Sequence, residues 1–329
     1  MSTPDSGPNT SYQAPAGTTI GHVHLRVADV DRAASFYSEA LGLDVIARIS
    51  GGAFLSAGGY HHHVGLNQWY SRGSAQADPM ATGLERFGIQ YESIDEVLIA
   101  VKRVLLHGGS YLAAVDLGVG IAVGLRDPDG NGIELYCDRS LDSWSRNPDG
   151  RIQLTTVRID IDEALVHIPT VTTPVPPTTR IGHVQLKVAD LDRQIAFYRD
   201  VLGFAVTFQD DFITWLSAGE AHHLIGLVPV PEGSPRTKPQ QPGLFHLAIL
   251  YPTRNDLATA TRQMIEANAG FRMAEDHGVS EAVYFLDPEN NGIELFWDRP
   301  RDEWQRNEQG GISMDGGPLD LMALLAEAG

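Results

Sequence analysis

From Ile20 to Val27 the chain reads IGHVHLRV, with Val23, Leu25 and Val27 alternating against His22, His24 and Arg26. A period of two is the pattern of a strand with one buried face. The spacing then turns helical in DVDRAASFYSEALG, with an Asp at its start and a Gly just past its end. LDVIARI, GAFLSAG and HHVGLNQW follow as three short strands. After a polar stretch the order restarts: Gly88–Tyr91 is strand-like, Ile94–Leu106 helix-like, and further strands end in GIELY. Each unit is therefore strand-helix-strand-strand-strand, used twice in the first half.

The whole arrangement is then written again. IGHVHLRVADVDRAASFYSEALGLDV (20–45) is answered by IGHVQLKVADLDRQIAFYRDVLGFAV (181–206), an offset of 161. SAGGYHHHVGL (56–66) is answered by SAGEAHHLIGL (217–227), and DPDGNGIELYCDRSLDSW (127–144) by DPENNGIELFWDRPRDEW (287–304). Three blocks in the same order establish a tandem duplication. The pattern predicts a disordered leader over 1–18, one domain over 19–145, a Thr/Pro-rich extended linker over 146–179, a second domain over 180–306, and a tail over 307–329 ending in a short helix.

Composition narrows the chemistry. Of 329 residues, 43% are hydrophobic, enough for two cores. A net charge of −18 opposes binding to nucleic acid or an anionic membrane surface. No apolar run approaches the roughly 20 residues that span a bilayer. The single cysteine, Cys137, excludes a disulfide within the chain and a thiolate metal site, pointing to a cytoplasmic setting.

A GHVxLxV opening strand, the βαβββ unit and a closing DPxxNGIEL strand resemble the vicinal oxygen chelate superfamily, which includes glyoxalase I, bleomycin-resistance proteins and extradiol dioxygenases. Four units in one chain resemble the type I extradiol dioxygenases of the catechol 2,3-dioxygenase kind. The resemblance implies an α+β fold in which paired βαβββ modules form two open, cup-like barrels. It implies a metal in the C-terminal cup, held by His183 in IGHVQLKV, His246 in GLFHLAIL and Glu294 in GIELFWD. Two imidazoles and a carboxylate suit non-haem Fe(II), with Mn(II) also accepted, and leave three positions open. His223 matches the acid/base histidine of the family. His277 and Tyr284 match its substrate-hydroxyl contacts, in the signature H-x5-apolar-Tyr-x2-Asp-Pro followed by Glu.

Comparing the halves separates them. Shifted back, His183, His223 and Glu294 become His22, His62 and Glu134. His246, His277 and Tyr284 become Arg86, Leu117 and Gly124. A guanidinium cannot ligate a metal. The first half is thus expected to be a scaffold, with Arg86 pairing with Glu134 and His22 a core histidine without metal. His61–His63 reads as a strand edge, and Trp69, Trp215, Trp297 and Trp304 as packing residues.

The reaction implied is extradiol cleavage of a catechol by O2, with His223 acting as base and then acid. No dinucleotide, flavin or haem is expected. The resemblance also implies a homo-oligomer. A glyoxalase-like isomerase or lyase and a non-enzymatic ligand-sequestering cup are the alternative readings.

Overall fold

In the computed structural model the structure describes residues 12–170, 174–306, 310–314 and 316–328. Four βαβββ modules follow one another. The first comprises β1 (Thr19–Arg26), α1 (Val30–Ser35), β2 (Asp44–Ile49), β3 (Gly52–Ser56) and β4 (Val64–Asn67). The second runs through β5 (Gly83–Tyr91), α2 (Ile94–Leu106), β6 (Tyr111–Asp116), β7 (Gly120–Arg126) and β8 (Gly132–Asp138). An appendix of β9 (Val157–Ile159) and α3 (Asp162–His167) closes the first half. The third module repeats the first as β10 (Arg180–Val188), α4 (Leu191–Ala196), β11 (Ala205–Gln209), β12 (Thr214–Ser217) and β13 (Ile225–Pro229). The fourth repeats the second as β14 (Gly243–Leu250), α5 (Arg254–Glu266), β15 (Met273–Asp276), β16 (Ser280–Leu286) and β17 (Gly292–Asp298), and ends in β18 (Gly317–Pro318) and α6 (Leu321–Leu325).

Local signals set these elements. Asp29 caps α1 by accepting from the amides of Asp31 and Arg32, and Asp190 caps α4 by accepting from Arg193. The helical stretch beyond each ends at Gly42 and Gly203, both at positive φ. Ser93 and Thr253 cap α2 and α5.

The pairing of modules differs from the division into an N-terminal and a C-terminal domain. One nine-stranded sheet has the order β18-β15-β16-β17-β14-β1-β4-β3-β2, so it joins the first module to the fourth. The other, β11-β12-β13-β10-β5-β8-β7-β6-β9, joins the third to the second. The seams are antiparallel: β1 lies on β14 with His24 opposite His246, and β10 lies on β5 with Gln185 opposite Arg86. Glycines make room at both seams. A Cβ at Gly21 would overlap the ring of Phe296, and one at Gly182 would overlap Tyr136. The physical reason is the near-identity of the repeats: β1 and β10 offer the same edge, so either can complete either partner module. The sheets meet along β1 and β10, and one hydrophobic core runs through both.

Two further boundaries change. Residues 1–11 of the expected leader lie outside the described residues, but Tyr12 and Ala14 pack against the core, and the Ala14 amide donates to the Gly203 carbonyl. The expected extended linker contains β9, which extends the sheet at β6, and α3, which packs on α2. The tail repeats this, with β18 on β15 and α6 on α5.

Candidate metal centre

Alternation along four neighbouring strands carries the site. On β1, His22 and His24 point to the same face; on β14, His246 and Ala248 do so, and on β17, Glu294 and Phe296. Glu294 lies between Ala248 on one side and Tyr284 of β16 on the other, so a small residue and a phenol flank the carboxylate. The chain thereby brings three donor atoms together. His22 Nε2 is 3.0 Å from Glu294 Oε2, His246 Nε2 is 3.0 Å from the same oxygen, and the two imidazole nitrogens are 3.3 Å apart. All three side chains are buried.

Ligands about 2.1 Å from one ion and at right angles to each other are about 3 Å apart. The observed separations therefore match one face of an octahedron, the arrangement of two histidines and a carboxylate that non-haem Fe(II) and Mn(II) accept. Protonation agrees. Burial pulls His22 down to about 4, so its imidazole is neutral at pH 7. Burial also pushes Glu294 up, but His22 and His246 outweigh it and hold the carboxyl well below its ordinary range. A neutral nitrogen on His22 and an ionised oxygen on Glu294 are states a cation requires. The donor set fits a divalent metal.

Four further groups surround it. Tyr284 and His277 are joined by a 2.8 Å bond between the phenol oxygen and Nε2, and the Tyr284 ring lies 5.6 Å from that of His246. Burial, then Glu294 and Glu275, push the Tyr284 hydroxyl well above 10, so it stays a donor. Glu275 stands 3.6 Å from His277. On the opposite side the His62 ring lies 4.0 Å from that of His22. Burial and the neighbouring His22 drive its pKa well below 6.5, leaving a neutral base.

His246, Glu294, His277 and Tyr284 thus share one cup, and His183 and His223 do not. His183 sits on β10 in the other sheet, 3.3 Å from Glu134, and His223 lies beside it with ring centroids 4.2 Å apart. The expected grouping of His183 with His246 and Glu294 is corrected: His22 stands beside His246 and Glu294 instead, and His62, not His223, lies against that trio. The cause is the exchanged module pairing, which gives the fourth module the first strand of the first. His22, read as a core histidine from the sequence, is a member of the site.

The second cup holds the other remnants. Arg86 is 3.2 Å from Glu134 and 3.2 Å from Glu85. Burial would raise Glu134, but His183 and Arg86 outweigh it and hold the acid at about 2. His183, His222 and His223 also place donor nitrogens within 4.8 Å of one another. Those of the pair are engaged, His222 by Asp138 and His223 by Gln185. Gly124 and Glu134 line a small cavity where the first cup carries Tyr284 and Glu294.

Sequence reasoning missed His24, His61 and Asp298. The His24 ring lies 5.0 Å from that of His246, and His61 Nε2 is 2.9 Å from Asp298 Oδ1. A faint signal existed. The first module carries His24 and His63 where the third has Gln185 and Leu224, an excess of imidazole that marks the module belonging to the metal cup. Trp215 stacks on His223 at 4.1 Å, and Cys137 is a buried free thiol, its pKa raised by burial.

The sequence model of the Glyoxalase/Bleomycin resistance protein/Dioxygenase superfamily matches residues 19–135 and again 180–295. A catechol-2,3-dioxygenase of Bacillus subtilis is 32% identical over 264 residues, covering 78% of this chain and 90% of that protein. A manganese-dependent 2,3-dihydroxybiphenyl 1,2-dioxygenase of Geobacillus is 22% identical, covering 92% and 96%. A crystal structure of a candidate dioxygenase from Bacillus subtilis superposes with a TM-score of 0.63 at 16% identity, over 88% of this chain and 87% of that one, a likeness of fold. With both halves matched and four modules in two open cups, this chain belongs to the glyoxalase/bleomycin resistance protein/dioxygenase superfamily.

Proposed function

We propose that the chain is a cytoplasmic extradiol dioxygenase that opens a catechol or substituted catechol with O2, using Fe(II) or Mn(II) held by His22, His246 and Glu294. The observation that supports it most is the 3.0–3.3 Å triangle of those donors, flanked by His277 and Tyr284. The 32% identity to a catechol-2,3-dioxygenase supports the same reading. Among the described residues no helix is long and apolar enough to cross a membrane.

A bound divalent ion would supply a path for electrons from the diol to dioxygen. The residues do the rest. The Tyr284 hydroxyl and His277, bonded to each other at 2.8 Å, hold the diol oxygens by hydrogen bonds in this reading. The neutral His62 accepts the proton that the diol loses and returns it as the ring opens. The buried walls around His22 and Glu294 keep water from the charged centre. The ring breaks beside the diol, and both atoms of O2 enter the product. The diol supplies all the electrons, so no nicotinamide or flavin takes part.

The test is anaerobic loading with Fe(II) or Mn(II), followed by oxygen-electrode traces with a panel of catechols. One O2 should be consumed per catechol with a ring-opened product. A fully loaded protein that consumes no O2 with any catechol would refute the reading and favour an isomerase or lyase.

A further inference from the structure

Each cup contains a pair of adjacent histidines bonded to an aspartate from the closing strand of its partner module. In the metal cup, Asp298 Oδ1 lies 2.9 Å from His61 Nε2, and His61 Nδ1 lies 2.9 Å from His62 Nδ1. A carboxylate accepts and does not donate, so His61 carries its proton on Nε2. With a single proton on the His61 ring its Nδ1 is a lone pair, and His62 is then the donor of the second bond through its own Nδ1–H. A neutral imidazole has one N–H, so His62 Nε2 is left as the acceptor. The Tyr60 hydroxyl donates to Asp298 Oδ2 at 2.8 Å and steadies the far end of the chain, while the His61 side chain is 1% exposed.

The second cup repeats the chain with a different ending. His222 Nε2 lies 3.0 Å from Asp138, and His222 Nδ1 lies 2.5 Å from His223 Nδ1. There the Gln185 amide donates to His223 Nε2 at 3.3 Å and occupies the lone pair. In the metal cup the matching position is His24, whose ring packs instead on His246 and Phe245.

We infer that Asp298 and His61 are positioning residues that lock His62 in the Nδ1–H tautomer and so reserve its Nε2 for the proton of the substrate. This rests on the ring-cleaving reading above. The proton passes from the diol oxygen to Nε2, giving an imidazolium whose Nδ1–H still faces His61. Protonation and return both occur at one nitrogen, with the ring held by the other.

Two variants separate the relay from mere packing. His61→Gln can present its amide NH2 to Asp298 and its carbonyl to His62, preserving both bonds. His61→Leu preserves bulk and neither bond. His61→Leu should lower kcat for a catechol about 10–100-fold, with KM and metal content near those of the natural enzyme. His61→Gln should stay within about threefold of it. His222→Leu, the same change in the second cup, should leave turnover unaltered. Two-dimensional 15N–1H spectra of the Zn(II)-loaded natural protein should show the His62 proton on Nδ1, a readout independent of turnover. A His62 proton on Nε2, full activity in His61→Leu, or equal losses in His61→Gln and His61→Leu would overturn the assignment. A natural enzyme that cleaves no catechol would refute the ring-cleaving reading, and the spectra would still decide the tautomer.

Discussion

His22 Nε2 and Glu294 Oε2 are 272 positions apart in the chain and 3.0 Å apart in the fold. Replacing His22 by Ala should lower metal affinity more than about 100-fold and abolish oxygen uptake, because a first ligand contributes at least as much as its supporting groups. His183→Ala should keep metal and turnover. It should instead cost about 1–3 kcal/mol of stability, because Glu134 loses a buried partner. Metal analysis and urea unfolding of both variants check this pair of outcomes.

Metal should stabilise the fold by mass action. At a free metal concentration 100 times the dissociation constant the gain is about 2.7 kcal/mol, and the melting temperature should rise by several degrees. Glu294→Gln should show no such rise, since an amide oxygen cannot supply the missing charge. Thermal scans with and without Mn(II) under argon measure it.

Arg86 is the obstacle in the second cup. With Arg86→His, that cup would carry His183, a new imidazole and Glu134 in the places of His22, His246 and Glu294. The variant should bind about two ions per chain where the natural protein binds about one. It should gain no second ring-cleaving activity, because Leu117 and Gly124 stand where His277 and Tyr284 are needed. Equilibrium dialysis counts the ions.

Acid should weaken the second cup. Folded Glu134 is held at about 2 despite burial, below an unfolded value of about 4.3. Its contribution is therefore complete above about 4.3 and is lost as pH falls toward 2, amounting to about 1–2 kcal/mol by pH 3. Urea unfolding at pH 6 and pH 3 should show a smaller drop for Glu134→Gln than for the natural protein.

The exchanged pairing is itself open to test. Gly21→Ala should destabilise by about 1–3 kcal/mol, because its methyl meets Phe296. Phe296→Ala should absorb part of that cost, giving a coupling above about 0.5 kcal/mol in a double-mutant cycle. Additive effects would place Gly21 away from the fourth module.

The elements were legible because periodicity, aspartate caps and glycine stops all act within a few residues. The module count was legible because three blocks recur. His277, Tyr284, His246 and Glu294 were legible as a set because the fourth module carries all four on β14 to β17. What escaped was the identity of the first-strand histidine. His22 and His183 stand in strands of nearly the same sequence, and β1 on β14 and β10 on β5 pair through corresponding positions with the same register shifts. The choice is made by long-range assembly, which leaves no mark in the period of either strand. The comparison of the halves was blind to it for the same reason, since both copies kept that histidine. Arg86 and Glu134, by contrast, sit within one module, and their pairing could be read from sequence alone.

The crossing of modules between halves bears on how each chamber can change. Neither half closes its own sheet: β1 is covered by β14 of the other half, and β5 by β10. Two half-length chains paired in this way would make a twofold dimer whose chambers are identical, so any substitution would strike both at once. In one chain each chamber is encoded separately, and an arginine at position 86 occupies one while the other keeps two imidazoles and a carboxylate.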